Sequence, residues 1–397
     1  MQAIINVTAL TPYRLIRDAI ILVKGGRILE VCRSPGTTDI SKADTVIDGN
    51  GLFASPGFID IHVHGGGGFD VTDGNADEIV KMCNAHAQNG TTSILPTTMA
   101  APYDVMYTAI DAVREAQRKC TCANILGIHL EGPYFSQAQR GAQSPEHIRI
   151  PKSDEYVPLL DHWDGIRLMG AAPELEGGLE LGRELSKRGI TASIGHSDAN
   201  YDQVVLAIEN GYTDVTHIYS GCSGVVRINA YRVAGVIEAG LLRDELSVQV
   251  IADGKHLPEA LLRLIYKCKG PEQISLITDG LSFSASELRE GVIYRQKNGV
   301  EVILEDGVMK LPDRQSFAGS VCTSNRLVRN MMTLGGASLP DAVKMATVTP
   351  AKVIGIRNKA ALTADHDADI ILFDGDIDVK FVMVGGQVVR NDLQVIQ

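Results

Sequence analysis

A chain of 397 residues, 45% hydrophobic and 21% charged, can bury a large core and has the balance of an ordinary globular protein. Its formal net charge of −11 argues against non-specific nucleic-acid binding, and no stretch is long and apolar enough to span a bilayer as a helix. Met1 to Asn6 lack the basic start and apolar run of a secretory signal, and the seven cysteines include no Cys-x-x-Cys pair, which points to a reduced, cytoplasmic chain. Cys120-Thr121-Cys122 has the look of a metal clip, but it lies in a polar stretch after a predicted helix. An acidic total still allows an anionic small substrate, because a local arginine or a helix N-terminus can hold a phosphate.

In chain order, the residues up to Ala54 read as short strands and turns, with Ala19–Lys24 and Arg27–Val31 around Gly25-Gly26. From Ser55 onward, β-type apolar runs alternate with helical patterns. The predicted strands are Phe58–His64, Ser93–Thr98, Ile125–Glu131, Arg167–Ala172, Thr191–His196, Asp214–Tyr219, Ser247–Ala252 and Ile274–Thr278. Helical patterns are clearest over Asp77–Gln88 and Tyr103–Arg118, followed by Leu179–Lys187, Tyr201–Asn210 and Pro258–Tyr266. Eight such repeats predict an α/β fold of the (β/α)8 TIM-barrel type. Residues 281–312 read as a β excursion after the last barrel strand. Ile370–Phe373, Val379–Val384 and Gln387–Arg390 return to the style of the N-terminus. Neither flank has enough core to fold alone, so both chain ends are expected to build one small β-sandwich domain. The expected boundaries are 1–54 with 358–397 for that domain and 55–357 for the barrel.

Barrel active sites lie at the C-terminal ends of the strands, and the notable polar residues fall there. His62 and His64 end the first strand and, two residues apart, share one face. They can hold a divalent cation, or form a hydrogen-bonding pair. Glu131 ends the third strand, where a carboxylate needs a partner, either an arginine or a metal. His129 shares its face and reads best as a residue supporting the ligands. His196 and His217 end the fifth and sixth strands and complete a plausible tripod with Glu131. Asp279, after the eighth, has the strongest catalytic claim, since a carboxylate beside a metal-bound water can take its proton and pass it to a leaving amine. Helix capping is the plain alternative. Asp253 reads as a turn residue before Gly254. His256 follows in the same loop, either as a donor to a developing oxyanion or as a surface histidine. Ser320 and Thr323 read as N-caps of a helix whose backbone N–H groups could meet a polar substrate. No Walker loop and no Gly-x-Ser-x-Gly occurs, and Cys222 has no dedicated base.

Together these motifs resemble the amidohydrolase superfamily and, more narrowly, the N-acetylglucosamine-6-phosphate deacetylases. The resemblance runs from Pro56-Gly57-Phe58-Ile59-Asp60 to Ala368-Asp369-Ile370. It is carried by Gly127-Ile128-His129-Leu130-Glu131-Gly132-Pro133, Gly195-His196-Ser197, Thr216-His217-Ile218-Tyr219, Asp253-Gly254-Lys255-His256, Ala318-Gly319-Ser320 and Thr349-Pro350-Ala351. It implies the same barrel and terminal β-sandwich, a tighter metal on Glu131, His196 and His217, and a second cation on His62 and His64 with Glu131 bridging. Asp279, also a metal ligand, would be the acid/base, and His256 the group that polarises the amide carbonyl. Substrate contacts are implied at Ala142, Ser220 and Gly221, at His256, and at Ala318 and Gly319. The implied cofactor is one or two divalent cations, zinc foremost, with iron, manganese or cobalt as alternatives. A homodimer is implied as well.

The chain also departs from that family. Where the deacetylases read His-hydrophobic-aromatic-Asn-Ala-Met, this chain has His217-Ile218-Tyr219-Ser220-Gly221-Cys222. Their Arg-Glu-Pro-Gly segment, whose arginine contacts phosphate, is replaced by Val226-Arg227-Ile228-Asn229-Ala230-Tyr231-Arg232, leaving Arg227 or Arg232 as substitutes. Gln143 stands where a histidine is common. The expected reaction is hydrolysis of the acetamide of an N-acetylhexosamine 6-phosphate, foremost N-acetylglucosamine 6-phosphate. The rivals are an amidohydrolase for another N-acyl sugar or an N-acyl amino acid, and a non-catalytic barrel serving as a binding module.

Overall fold

The computed structural model of the protein describes residues 1–34, 40–297, 299, 301–314 and 317–396. Residues 35–39 and 397 of the expected terminal domain, and 298 and 300 of the expected β excursion, lie outside the described residues.

The barrel strands are Phe58–Val63, Thr91–Thr98, Ile128–Glu131, Ile166–Ala171, Thr191–Ile194, Tyr212–Val215, Ser247–Val250 and Ile274–Leu276, with a short extra piece at Asn124–Ile125 in the third position. All pair in parallel in chain order, and most read as continuous buried runs, as strands covered on both faces do. The barrel closes between its first and eighth strands. Val63 bridges Gly280, Asp279 N donates to His62 O (2.9 Å) and His64 N to Gly280 O (2.9 Å). Below this seam, the Thr278 hydroxyl donates to the buried Asp60 carboxylate. Burial pushes Asp60 up to about 7, while Thr278 and two backbone N–H groups pull the other way.

The predicted helices appear as Ala76–Ala87, Tyr103–Lys119, Gly178–Lys187, Tyr201–Glu209 and Glu259–Lys269. Asn75 caps the first, and Asn200 and Gln203 form a capping box on the fourth. Ser153–Asp161 and Val236–Leu242 are helices that the periodicity did not signal; the first carries Pro158 inside it and the second is only seven residues long. At the barrel's other end, Val348–Val353 acts as a plug. It joins Ile59, Ile61, Leu95, Leu168 and Ile277 through Ala351, and Thr191, at the start of the fifth strand, donates to Val353 O (2.6 Å).

Both chain ends contribute to one eight-stranded sheet. Gln2–Leu10 pairs with Leu15–Lys24, Thr45–Asp48 and Phe53–Pro56. Phe53–Pro56 then pairs antiparallel with Ile370–Phe373, which leads to Val379–Val384 and Gln387–Asn391. Ile4, Ile21, Ile370, Leu372 and Phe381 meet in one core, so the two halves face each other, while Ala3, Ile20 and Leu22 line the opposite face. After the eighth barrel strand, Ile293–Arg295, Glu301–Glu305 and Val308–Lys310 form an antiparallel meander.

A part-buried ion cluster around the buried Asp369 ties this sheet to the barrel. Lys359 Nζ lies 2.8 Å from Asp367 and 2.7 Å from Asp369, and Asp369 also accepts from Asn124 of the barrel (3.0 Å) and from Gly385 N (2.8 Å). Lys359→Met leaves Asp369 buried without its cation and should cost about 3–5 kcal/mol. A urea midpoint equal to that of the unaltered protein would show that the cluster carries no such weight.

Candidate metal centre

His62, His64, Glu131, His196, His217 and Asp279 come together at the C-terminal mouth of the barrel. The Nε2 atoms of His62 and His64 are 3.2 Å apart. Glu131 Oε1 lies 2.9 Å from His217 Nε2, 3.2 Å from His196 Nε2 and 3.5 Å from His62 Nε2, while Oε2 lies 3.4 Å from His64 Nε2. Asp279 Oδ1 stands 3.5 Å from His62 Nε2 and 3.3 Å from His64 Nε2. Two donor sets, His62 with Glu131 and His217, and His62 with His64 and Asp279, each fit within 4.8 Å. Glu131 is sealed from solvent, whereas the Asp279 side chain is 17% exposed and forms the open side of the cluster.

Each imidazole is turned inward by what its other nitrogen meets. Nδ1 faces Thr97 O in His64 (3.2 Å), Gln139 O in His196 (2.9 Å), Ser220 O in His217 (3.0 Å) and the side-chain oxygen of Gln249 in His62 (3.0 Å). An Nδ1–H donated to such an acceptor leaves a lone pair on Nε2. Lone pairs directed at two carboxylates demand positive charge among them, supplied by imidazole protons or by a cation. The electrostatics of the cage follow the same demand. Burial pulls His62 down to about 4, but at His64 and His217 the carboxylates outweigh burial and hold the rings above the ordinary range. Burial favours neutral carboxyls, yet the histidines hold Glu131 and Asp279 below theirs. A nitrogen and oxygen donor set of this kind fits a divalent ion such as zinc, manganese, iron or cobalt.

The amidohydrolase family pattern matches residues 53–389. The chain belongs to the amidohydrolase family. It is similar to the N-acetylgalactosamine-6-phosphate deacetylase of Escherichia coli O157:H7 (33% identical over 337 residues, 84% of this chain and 86% of that protein). It is also similar to the N-acetylglucosamine-6-phosphate deacetylase of Lysinibacillus sphaericus (30% over 370 residues, 89% and 88%). Among solved structures it resembles that of a Mycobacterium smegmatis N-acetyl-D-glucosamine-6-phosphate deacetylase mutant in complex with N-acetyl-D-glucosamine-6-phosphate, with a TM-score of 0.89, 29% identity and 98% of this chain and 99% of that one covered. The protein is thus a hydrolytic enzyme of the amidohydrolase kind.

Within this amidohydrolase, His196, His217 and Asp279 have φ of 47°, 26° and 45°. The strands expected to run through the two histidines stop at Ile194 and Val215, because the backbone turns left-handed to swing each ring over the barrel mouth. Such conformations cost about 1–3 kcal/mol each and cluster at functional sites. His129 is buried one layer down, its ring centroid 4.6 Å from that of His62, with Nδ1 3.4 Å from the Thr97 hydroxyl. Asp253 does more than turn the chain: it accepts from Lys255 N and His256 N (2.8 Å each) and lies 2.7 Å from His256 Nδ1. His256 makes no hydrogen bond with the donor cluster and packs against Phe317 with the rings tilted (centroids 4.9 Å).

Thr323 occupies the N-cap position of the helix Ser324–Thr333, but its hydroxyl goes to Asn325 and caps nothing. Ser320 belongs to the preceding turn and accepts from Cys322 N (3.0 Å). Ala318 is buried, Gly319 packs on Leu281, and Ala142 is exposed beside buried Gln143. Arg227 and Arg232 face each other across an exposed hairpin, Val226–Ile228 with Tyr231–Val233. Gln143 donates to Glu131 Oε2 and accepts from Ala100 N (3.0 Å), so it holds the carboxylate from outside. Gln249 and Thr97 orient histidines and were not signalled by the sequence, since Gln249 sits alone in an otherwise ordinary strand and Thr97 acts through its backbone carbonyl.

Ser220 serves His217 through its carbonyl, and Gly221 has a local reason to be glycine. At φ +57°, an added Cβ would lie 2.7 Å from His196 Nδ1 and 2.9 Å from Gln139 O, inside the hydrogen bond that aims His196. Gly221→Ala should therefore displace His196 and lower cation retention about 10–100-fold, as losing an orienting partner does. Unchanged metal content after dialysis against a weak chelator would refute this.

Proposed function

We propose that the protein hydrolyses the acetamide of an N-acetylhexosamine 6-phosphate, releasing acetate and the amino sugar 6-phosphate. The inward-turned cage of four imidazoles around Glu131 and Asp279 is the observation that carries this reading, and the deacetylase relatives supply the substrate class. Glu131, His196 and His217 would hold one divalent cation, zinc foremost. His62, His64 and Asp279 would serve a second, with Glu131 between the two sets, its Oε1 nearest His217 and His196 and its Oε2 facing His64. When bound, the cation lowers the pKa of water and polarises the acetyl carbonyl.

The chain's own residues then move the protons. Asp279, ionised and on the open side of the cage, takes a proton from the attacking water. It returns that proton to the sugar nitrogen as the C–N bond breaks, since the nitrogen cannot leave unprotonated. His256, held through Nδ1 by Asp253, donates through Nε2 to the oxygen on which negative charge develops. Ala142, Ser220, Gly221, Ala318 and Gly319 would flank the sugar, and Arg227 or Arg232 would meet the phosphate.

A homodimer is part of the proposal. Val225, Val226, Ile228 and Tyr231 on the arginine hairpin are exposed apolar residues that a second copy would cover. A cytoplasmic setting is proposed on the seven free thiols.

Asp279→Asn should keep the cation held by Glu131, His196 and His217 and lose roughly 10²–10⁴ in kcat. Near-normal turnover would reject the proton-transfer role. Comparing kcat/KM for N-acetylglucosamine 6-phosphate, its galactosamine epimer and unphosphorylated N-acetylglucosamine tests the substrate. The phosphorylated sugars should lead. The 33% identical N-acetylgalactosamine-6-phosphate deacetylase favours the galactosamine epimer as a second reading. Indifference to phosphate would move the reading to another N-acyl substrate.

A further inference from the structure

His62 differs from the other three imidazoles of the cage in one respect. The Nδ1 atoms of His64, His196 and His217 meet backbone carbonyls, which can only accept. His62 Nδ1 meets the amide of Gln249, which can present either an oxygen or an NH2 group. Its tautomer is therefore set by whatever fixes Gln249. Below it lies Asp214, fully buried, whose Oδ2 accepts from Gln249 Nε2 (2.7 Å) and from the Ser193 hydroxyl (2.8 Å), and whose Oδ1 accepts from the Ser247 hydroxyl. The Ser193 hydroxyl is itself 2.6 Å from that of Thr216. Burial pushes the Asp214 carboxyl up, but the hydroxyls of Ser193 and Ser247 and the NH2 of Gln249 all donate to it and favour the carboxylate. A carboxylate offers no donor, so it holds the NH2 of Gln249 toward itself and turns the amide oxygen to His62.

We propose that Asp214 and Gln249 are positioning residues that lock His62 in the Nδ1–H tautomer and thereby keep its Nε2 lone pair available to a cation. His62 is the one imidazole common to both donor sets, so this lock serves either set. The network spans the fifth, sixth and seventh barrel strands, and the sixth and seventh thereby act on a ligand of the first. This inference rests on the metal-centre reading.

The test separates the two. The tautomer of His62 is read in the metal-free protein, at a pH where the ring is neutral, from long-range 1H–15N correlations assigned with His62→Gln. Cation binding is read separately, as affinity for added zinc and cobalt. The unaltered protein should show His62 protonated at Nδ1. Asp214→Asn frees Gln249 to flip, so His62 should lose its single tautomer and cation affinity should fall about 10–100-fold. The double variant Asp214→Asn with Gln249→Glu reverses the polarity of the pair. The amide introduced at position 214 then donates to a carboxylate that again can only accept from His62, and both tautomer and affinity should recover. A merely structural role for Asp214 predicts no such rescue.

The proposal is overturned if metal-free, unaltered protein carries the proton on Nε2, a result that does not depend on any variant folding. It is overturned equally if Asp214→Asn leaves tautomer and affinity unchanged, or if the folded double variant recovers neither. Failure of the unaltered protein to bind any cation, with His62 still protonated at Nδ1, would instead strike the metal-centre reading.

Discussion

The two nitrogens of a neutral imidazole are not independent: a donor on one side fixes a lone pair on the other. The mouth of this barrel applies that constraint four times. Three backbone segments supply carbonyl oxygens, at Thr97, Gln139 and Ser220, and one strand supplies an amide oxygen, at Gln249. The cage is thus defined from outside as much as from within. The second and seventh strands place no side chain in the donor cluster, yet each aims one of its rings. Gln143 does the same for Glu131, fixing one carboxylate oxygen while the other faces His196 and His217.

The barrel's closing seam and its donor set share residues. The first and eighth strands meet through backbone bonds at His62, His64, Asp279 and Gly280, so the spacing between Asp279 and the first-strand histidines is set by the main chain itself. Three donor residues are held left-handed at the same rim, where a flat parallel ladder would have carried their side chains elsewhere. The plug at the opposite end, and the continuous apolar packing between strands and helices, offset the cost of this strained rim.

The barrel was legible because parallel strands buried on both faces leave long apolar runs, and because polar residues recur where those runs stop. His62, His64, Glu131, His196, His217 and Asp279 could each be read as strand-end residues, and the structure gathers all six. The strand ends themselves were read too long at His196 and His217, since nothing in an apolar run announces a left-handed turn beyond a neighbouring glycine such as Gly195. Ser153–Asp161 was hidden by Pro158, and Val236–Leu242 by its length. The supporting network was illegible for a different reason. Asp214 and Gln249 lie on adjacent strands, and only the register between those strands brings their side chains within 2.7 Å. A lone buried Gln or Asp in a sequence says that a partner exists, not which residue it is. Asp253 likewise showed its turn and concealed its second role, because its bond to His256 depends on how the loop folds back.

A cage built this way ties cation binding to folding. Without a cation, Glu131 and Asp279 favour protons on His64 and His217 and push those rings above the ordinary imidazole range. A cation must displace those protons, and its hold on the site therefore weakens as pH falls. The unfolded chain has no such cage, so a cation present at about 100 times its Kd adds about 2.7 kcal/mol to stability. The donors His62, His64 and Asp279 lie at the seam where the first and eighth strands meet through an isolated bridge rather than a regular ladder. A cation held by this cage would also neutralise the charges across that join, so strand closure and catalytic competence should be lost together.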